Sequence, residues 1–163
     1  MEQHGEVDDL TVVQVLRAYA RQARLIDSFD GPGWAATFTT DGVFASPSYP
    51  QPVVGTDALV AFVEQYAETA RATRTTSRHV VTNVDVVPGP RPGSVVAHAY
   101  LQIVATPAGE PSRLVRLTTL TDQLVASADG WRFARRDVRR DDVPPVPDST
   151  PDSTPESTSG ARP

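Results

Sequence analysis

Residues 77–140 read SRHVVTNVDVVPGPRPGSVVAHAYLQIVATPAGEPSRLVRLTTLTDQLVASADGWRFARRDVRR. The segments 78–87, 94–106, 113–127 and 131–140 are rich in Val and Thr, residues that suit a pleated, half-buried backbone. PGPRPG (88–93), PAGE (107–110) and ADG (128–130) separate them, and these breakers favour tight turns between antiparallel strands. In the first segment His79, Val81 and Asn83 alternate with Val80, Thr82, Val84 and Val86, so apolar residues fall on both faces. One face is expected to cover a pocket, and the other to support a homodimer.

Upstream, the period changes from two to about 3.6. Leu10, Val13, Leu16, Ala20, Ala23 and Ile26 recur every three or four residues within 9–30, which predicts a long amphipathic first helix. Gly31-Pro32-Gly33 is expected to break it, Trp34–Phe38 to form a short second helix, and Asp41-Gly42 to turn the chain into a short strand at Val43-Phe44. Thr56 is a candidate N-cap for a third helix carrying Leu59, Phe62, Val63 and Tyr66. Helices followed by four strands define an α+β class, with helices on one face of a curved sheet.

Length and composition narrow the function. The chain has 163 residues, enough for one core, and fifteen Lys and Arg against twenty Asp and Glu leave a net charge of -5. That balance offers no broad attraction for nucleic acid or an anionic membrane. The absence of cysteine removes disulfides, thiolate nucleophiles and Cys-based metal sites. The acidic start MEQHGEVDD lacks the pattern of a secretory signal, so a cytoplasmic location is expected. Residues 1–7 are expected to be flexible, 8–143 to form the domain, and 144–163, with their repeated Pro-Asp/Glu-Ser-Thr units, to be a disordered tail.

Three histidines concentrate the search for chemistry: His4 near the start, and His79 and His98 within strands. His79 precedes an apolar run, where its imidazole would project into the domain and exchange protons near neutral pH. The helical stripe continues past Ile26 into two carboxylates, Asp27 and Asp30. Asp30 falls where the helix ends and could orient His79 as a general base; alternatively, an Asp before Gly-Pro-Gly bonds the following amides and prepares the next helix. A Gly-rich phosphate loop, an HExxH helix and a GxSxG elbow are all missing from the sequence.

IDSFDGPGW (26–34), FTTDGVF (38–44), SRHVVTN (77–83) and DGWRFARRDV (129–138), in this order and spacing, resemble the SnoaL-like branch of the nuclear-transport-factor-two-like superfamily, which includes scytalone dehydratase. The resemblance spans about residues 8–142. It implies a cone-shaped fold in which helices pack into a curved sheet around an apolar cavity, and a catalytic pair formed by Asp30 and His79. Scytalone dehydratase has tyrosines where this chain has Phe29 and Ser46, and a His and a Ser at the positions of Thr106 and Thr119, so its water-positioning groups are not reproduced.

The expected activity is that of a lyase, isomerase or cyclase with no metal and no organic cofactor, acting on a small hydrophobic or polyketide-like molecule. Strand parity puts Tyr100, Gln102 and Thr119 in the pocket, and Phe29, Trp34, Phe44 and Tyr66 supply aromatic walls. Two other readings are a binding domain that performs no chemistry and an accessory protein that dimerises through its sheet.

Overall fold

The computed structural model describes residues 6–142; the expected tail at 144–163 and the first five residues lie outside them. Helix α1 runs Asp9–Asp27, α2 Gly31–Ala35 and α3 Thr56–Ala72. Strands β1 (Phe38–Ala45), β2 (Val53–Val54), β3 (Thr75–Pro88), β4 (Ser94–Pro107), β5 (Arg113–Ser127) and β6 (Gly130–Arg140) form one sheet in the order β2-β1-β6-β5-β4-β3. All neighbours are antiparallel except β1 and β6, which run parallel. The expected α+β cone is the fold observed, and the four long strands match the segments between the Gly/Pro breakers to within a few residues.

The side chain of Asp8 accepts the amide of Thr11 at 3.0 Å and starts α1 by satisfying one of its orphan donors. The face that packs inward carries Val15, Tyr19, Gln22 and Ile26, whereas Leu10, Val13, Leu16 and Ala20 of the expected stripe are exposed. Adjacent apolar pairs at 12–13 and 15–16 make two stripes possible. Tertiary contacts select the one with Tyr19, whose ring meets Phe133 edge-on at 5.3 Å.

Three local corrections follow from backbone chemistry. Gly31-Pro32-Gly33 does not precede the second helix but begins it, because Pro is compatible with the first turn, where its missing N–H is no loss. Asp41-Gly42 lies inside β1 at a register shift rather than in a turn; a Cβ on Gly42 would stand 2.7 Å from that of Phe38. Thr56 is the first residue of α3, and Gly55, at φ 85, holds the cap position.

In β3 the alternation breaks at Asn83, which sits at φ 53 in a shift between the Thr82 and Asp85 pairings. The extra residue returns Val84 and Val86 to the face of His79 and Val81 and leaves Asn83 exposed, reversing the parity expected beyond Thr82. The core lies between this concave face and the helices, with Phe38, Leu59, Leu120, Leu124 and Phe133 almost wholly buried. Among the described residues no helix is long and apolar enough to cross a membrane.

Leu124 has no exposed surface and sits at the centre of this core. Leu124→Ala is expected to lower unfolding free energy by about 2–5 kcal/mol through lost burial and a residual cavity, measured by urea denaturation.

Candidate active site

Helix α1 ends by reversing direction at Phe29, whose φ of 62 is left-handed, with Ser28 N–H donating to Arg24 O at 3.0 Å and Asp30 N–H to Leu25 O at 2.9 Å. Asp27 is therefore the last residue to keep the helical phase. Its carboxylate reaches β3, the edge strand of the sheet, where the amide of His79 points away from β4 and needs an acceptor. That amide donates to Asp27 Oδ1 and Oδ2 at 3.2 and 3.3 Å, and His79 Nδ1 lies 2.7 Å from Oδ1.

The expected partner, Asp30, is not part of this pair. Its Oδ1 accepts the Gly33 amide at 2.8 Å as the N-cap of α2, and the residue is exposed. The left-handed turn at Phe29 takes Asp30 out of the helical phase, so extending the stripe by one further turn does not place it inward.

His79 and Asp27 keep 11% and 14% side-chain exposure. A neutral His79 that donates Nδ1–H to Asp27 carries its free lone pair on Nε2, and the carboxylate stabilises the imidazolium once Nε2 takes a proton. The Tyr66 ring lies edge-on to the imidazole at 5.8 Å. Burial raises the Tyr66 phenol above its ordinary value, so it remains protonated at neutral pH.

His79 lines a partly open cavity of ≈ 290 Å³, and the structure places Trp34, Phe44 and Tyr66 on the same wall. Trp34 contacts Phe38, Phe44 and Phe62 at centroid distances of 4.9–5.9 Å, which makes this wall rigid and apolar. Phe29 packs instead on Tyr66 and beneath Arg71, away from the cavity. Tyr100, Gln102 and Thr119 stand on the opposite sheet face. Register decides this: His79 pairs with Ile103, Val81 with Leu101, and Leu101 with Thr118, so those partners turn inward and the intervening residues outward.

Several cavity residues have no clear mark in the sequence. Ser46 and Tyr49, in the segment after β1, line the wall, and Arg116 Nη1 donates to Ser48 Oγ at 2.7 Å, tying that segment to β5. Deeper, Tyr19 O–H donates to Asp122 Oδ2 at 2.5 Å, while Arg136 donates through Nε at 2.9 and 3.1 Å and through Nη2 at 2.6 Å to the same carboxylate. One trace was available: Asp122 interrupts the buried alternation of Leu120 and Leu124. Burial opposes the Arg136 charge, but attraction and hydrogen bonding to Asp122 outweigh it and raise the guanidinium above its ordinary range. The Tyr19 phenol is also raised, first by burial and then by the neighbouring Asp122 charge. Among the described residues no group of three or more His, Asp or Glu is placed to hold a metal ion.

A curved sheet closed by three helices over a cavity with an oriented imidazole defines a cone-shaped pocket domain. The chain belongs to the SnoaL-like domain family, whose sequence profile matches residues 10–137. It is similar to ActVI-ORFA of Streptomyces coelicolor, at 26% identity over 85% of this chain and 100% of the other, with a TM-score of 0.76. A protein of Catenulispora acidiphila, solved in complex with S-DNPA, is 26% identical over 82% of this chain and 96% of its own, with a TM-score of 0.72. A nuclear-transport-factor-two-like protein with a cystatin-like fold, from Novosphingobium aromaticivorans, is 19% identical over 85% and 93% of the two chains. With a TM-score of 0.67, it shares the fold. Among curated proteins none matches this chain.

Asp30→Ala is expected to cost about 0.5–2 kcal/mol of stability through loss of the cap, in chemical denaturation. Long-range proton–nitrogen spectra of the same variant should still show neutral His79 protonated on Nδ1, whereas Asp27→Asn should change that signature.

Proposed function

We propose that this protein is a small lyase, isomerase or cyclase in which His79, held by Asp27, moves a proton on a small hydrophobic or polyketide-like molecule in the cavity. The observation that carries this reading is the 2.7 Å contact between His79 Nδ1 and Asp27, made by a histidine that lines the cavity. Nε2 removes a proton next to an activating carbonyl or a leaving group and can return it elsewhere on the same molecule, giving elimination, rearrangement or ring closure. Asp27 acts through the imidazole by fixing its tautomer and offsetting its charge. The aromatic wall contributes apolar contact and excludes water. Family membership and the similarity to the protein solved with S-DNPA support a ligand of this general kind.

The test is turnover of S-DNPA and, separately, of small hydrophobic ketones by wild type, His79→Ala and Asp27→Asn, with folding checked by circular dichroism. Both variants should lose about 10²–10⁴-fold in kcat, while Asp30→Asn stays near wild type. Undiminished rates in folded His79→Ala and Asp27→Asn would overturn the acid-base role. A ligand that binds wild type and is recovered unchanged would assign the chain to non-catalytic binding.

We also propose that the outer sheet face joins two copies of the chain. Val80, Tyr100 and Leu117 are 41%, 50% and 46% exposed there, on neighbouring strands. Wild type should sediment as a dimer, and Tyr100→Glu combined with Leu117→Glu as a monomer; a wild-type monomer at high micromolar concentration refutes this.

A further inference from the structure

The proton-transfer pair sits at one end of the cavity and uses none of the polar groups at the other. Tyr19, which leads to the deeper group, precedes Asp27 by eight residues on α1, about 12 Å along the helix axis. At that deeper end Arg136 is 8% exposed and lines the cavity. Its Nε and Nη2 are committed to Asp122, itself wholly buried, and its guanidinium lies over the rings of Phe133 and Tyr19 at 4.7 and 5.5 Å. The group is held by a carboxylate through two of its nitrogens and packs over two aromatic rings, leaving it little rotational freedom.

Nη1 takes no part in this arrangement: among the described residues it makes no hydrogen bond. Nor is it sealed in protein, because the only fully enclosed side-chain nitrogen or oxygen without a partner among those residues is Thr39 Oγ1. The Tyr19 hydroxyl oxygen also lies within hydrogen-bonding range of the guanidinium, but its own hydrogen goes to Asp122 and every well-aligned guanidinium N–H bond goes to that carboxylate. Arg136 itself lines the cavity, so the unbonded Nη1 is the guanidinium nitrogen left for a ligand there. A fixed cationic donor in an otherwise apolar chamber is strongly selective for an oxygen acceptor, since a ligand lacking one leaves the donor dehydrated and unmatched.

We propose that Arg136 Nη1 is the recognition donor of this pocket, binding a carbonyl or enolate oxygen of the ligand at the end away from His79. The inference rests on the reading of the cavity as a ligand site, and it adds a requirement on the ligand: an oxygen acceptor separated from the carbon that His79 serves. Asp122 and Tyr19 are positioning residues that hold the guanidinium in place. Arg116, at the segment after β1, is already bonded to Ser48 and is excluded from this role.

The test uses two bicyclic probes of the same skeleton, α-tetralone and tetralin, which differ in the carbonyl, with binding measured by titration calorimetry. Wild type should favour α-tetralone by about ten- to a hundredfold, the range of a hydrogen bond to a charged group. The combined variant Arg136→Met, Asp122→Leu and Tyr19→Phe removes the buried charges together, a replacement that folded proteins often accept without loss of stability. It should bind the two probes equally and still bind tetralin. His79→Ala should keep the wild-type preference although it loses turnover, so failure of the acid-base reading and failure of this one are separable. Arg116→Met should keep it as well. A crystal structure of wild type with α-tetralone should put the carbonyl oxygen within hydrogen-bond distance of Arg136 Nη1, a result independent of any variant. Equal binding of the probes by wild type, no binding of either, a preference that survives in the folded combined variant or vanishes in Arg116→Met, or a carbonyl directed elsewhere would overturn the proposal.

Discussion

A carboxylate with no exposed surface, Asp122, constrains the whole assembly. An isolated buried charge of this kind is prohibitively costly, so the fold must bring donors to it. Arg136 arrives from the neighbouring strand because Asp122 and Arg136 are direct partners in the β5–β6 register. Tyr19 arrives from α1, and the contact holds the helix over the sheet with Gln22 and Ile26 also facing inward. A second polar contact, from Asp27 to the edge strand, secures the far end of α1. These two ties hold the helix to the sheet on either side of the cavity, and Trp131 Nε1 adds a third by donating to Gln14 Oε1 at 3.1 Å.

Those two ties divide the cavity into regions of different character. One end carries an imidazole whose partner fixes its tautomer, and the other a guanidinium that a carboxylate and two aromatic faces keep from turning. Between them lie Trp34, Phe44 and Leu101, which contribute shape and low dielectric rather than reactivity. This fold hosts many activities, and what distinguishes a member is the placement of a few polar groups on a shared apolar wall. In this chain none of those groups requires cysteine, and the net negative charge lies largely outside the cavity, where Arg116, Arg136 and His79 all contribute lining.

The four long strands were legible because Gly and Pro punctuate them and because their Val and Thr content is continuous. His79 was legible as an inward residue for the same reason. The pairing of that histidine was not: Asp27 and Asp30 look interchangeable on a helical projection, and only the left-handed Phe29 separates them. A phenylalanine in that conformation has no sequence signature. Likewise Tyr100, Gln102 and Thr119 were assigned by alternation within single strands, but alternation states only that neighbours differ. Which set faces the cavity depends on cross-strand register, and register involves two distant segments at once.

By itself the sequence determined the class of the fold, the positions of its long strands, and a scarcity of histidines that directed attention to His79. These are properties of local backbone preference and of composition, and each is carried within a window of some ten residues. Tertiary structure decided which stripe of α1 turned inward, which carboxylate met the imidazole, and that Arg136, paired with Asp122, lined the cavity. The physical reason is the same in all three cases. A buried polar group takes whichever partner satisfies its hydrogen bonds at least cost, and the candidates come from parts of the chain that only folding brings together.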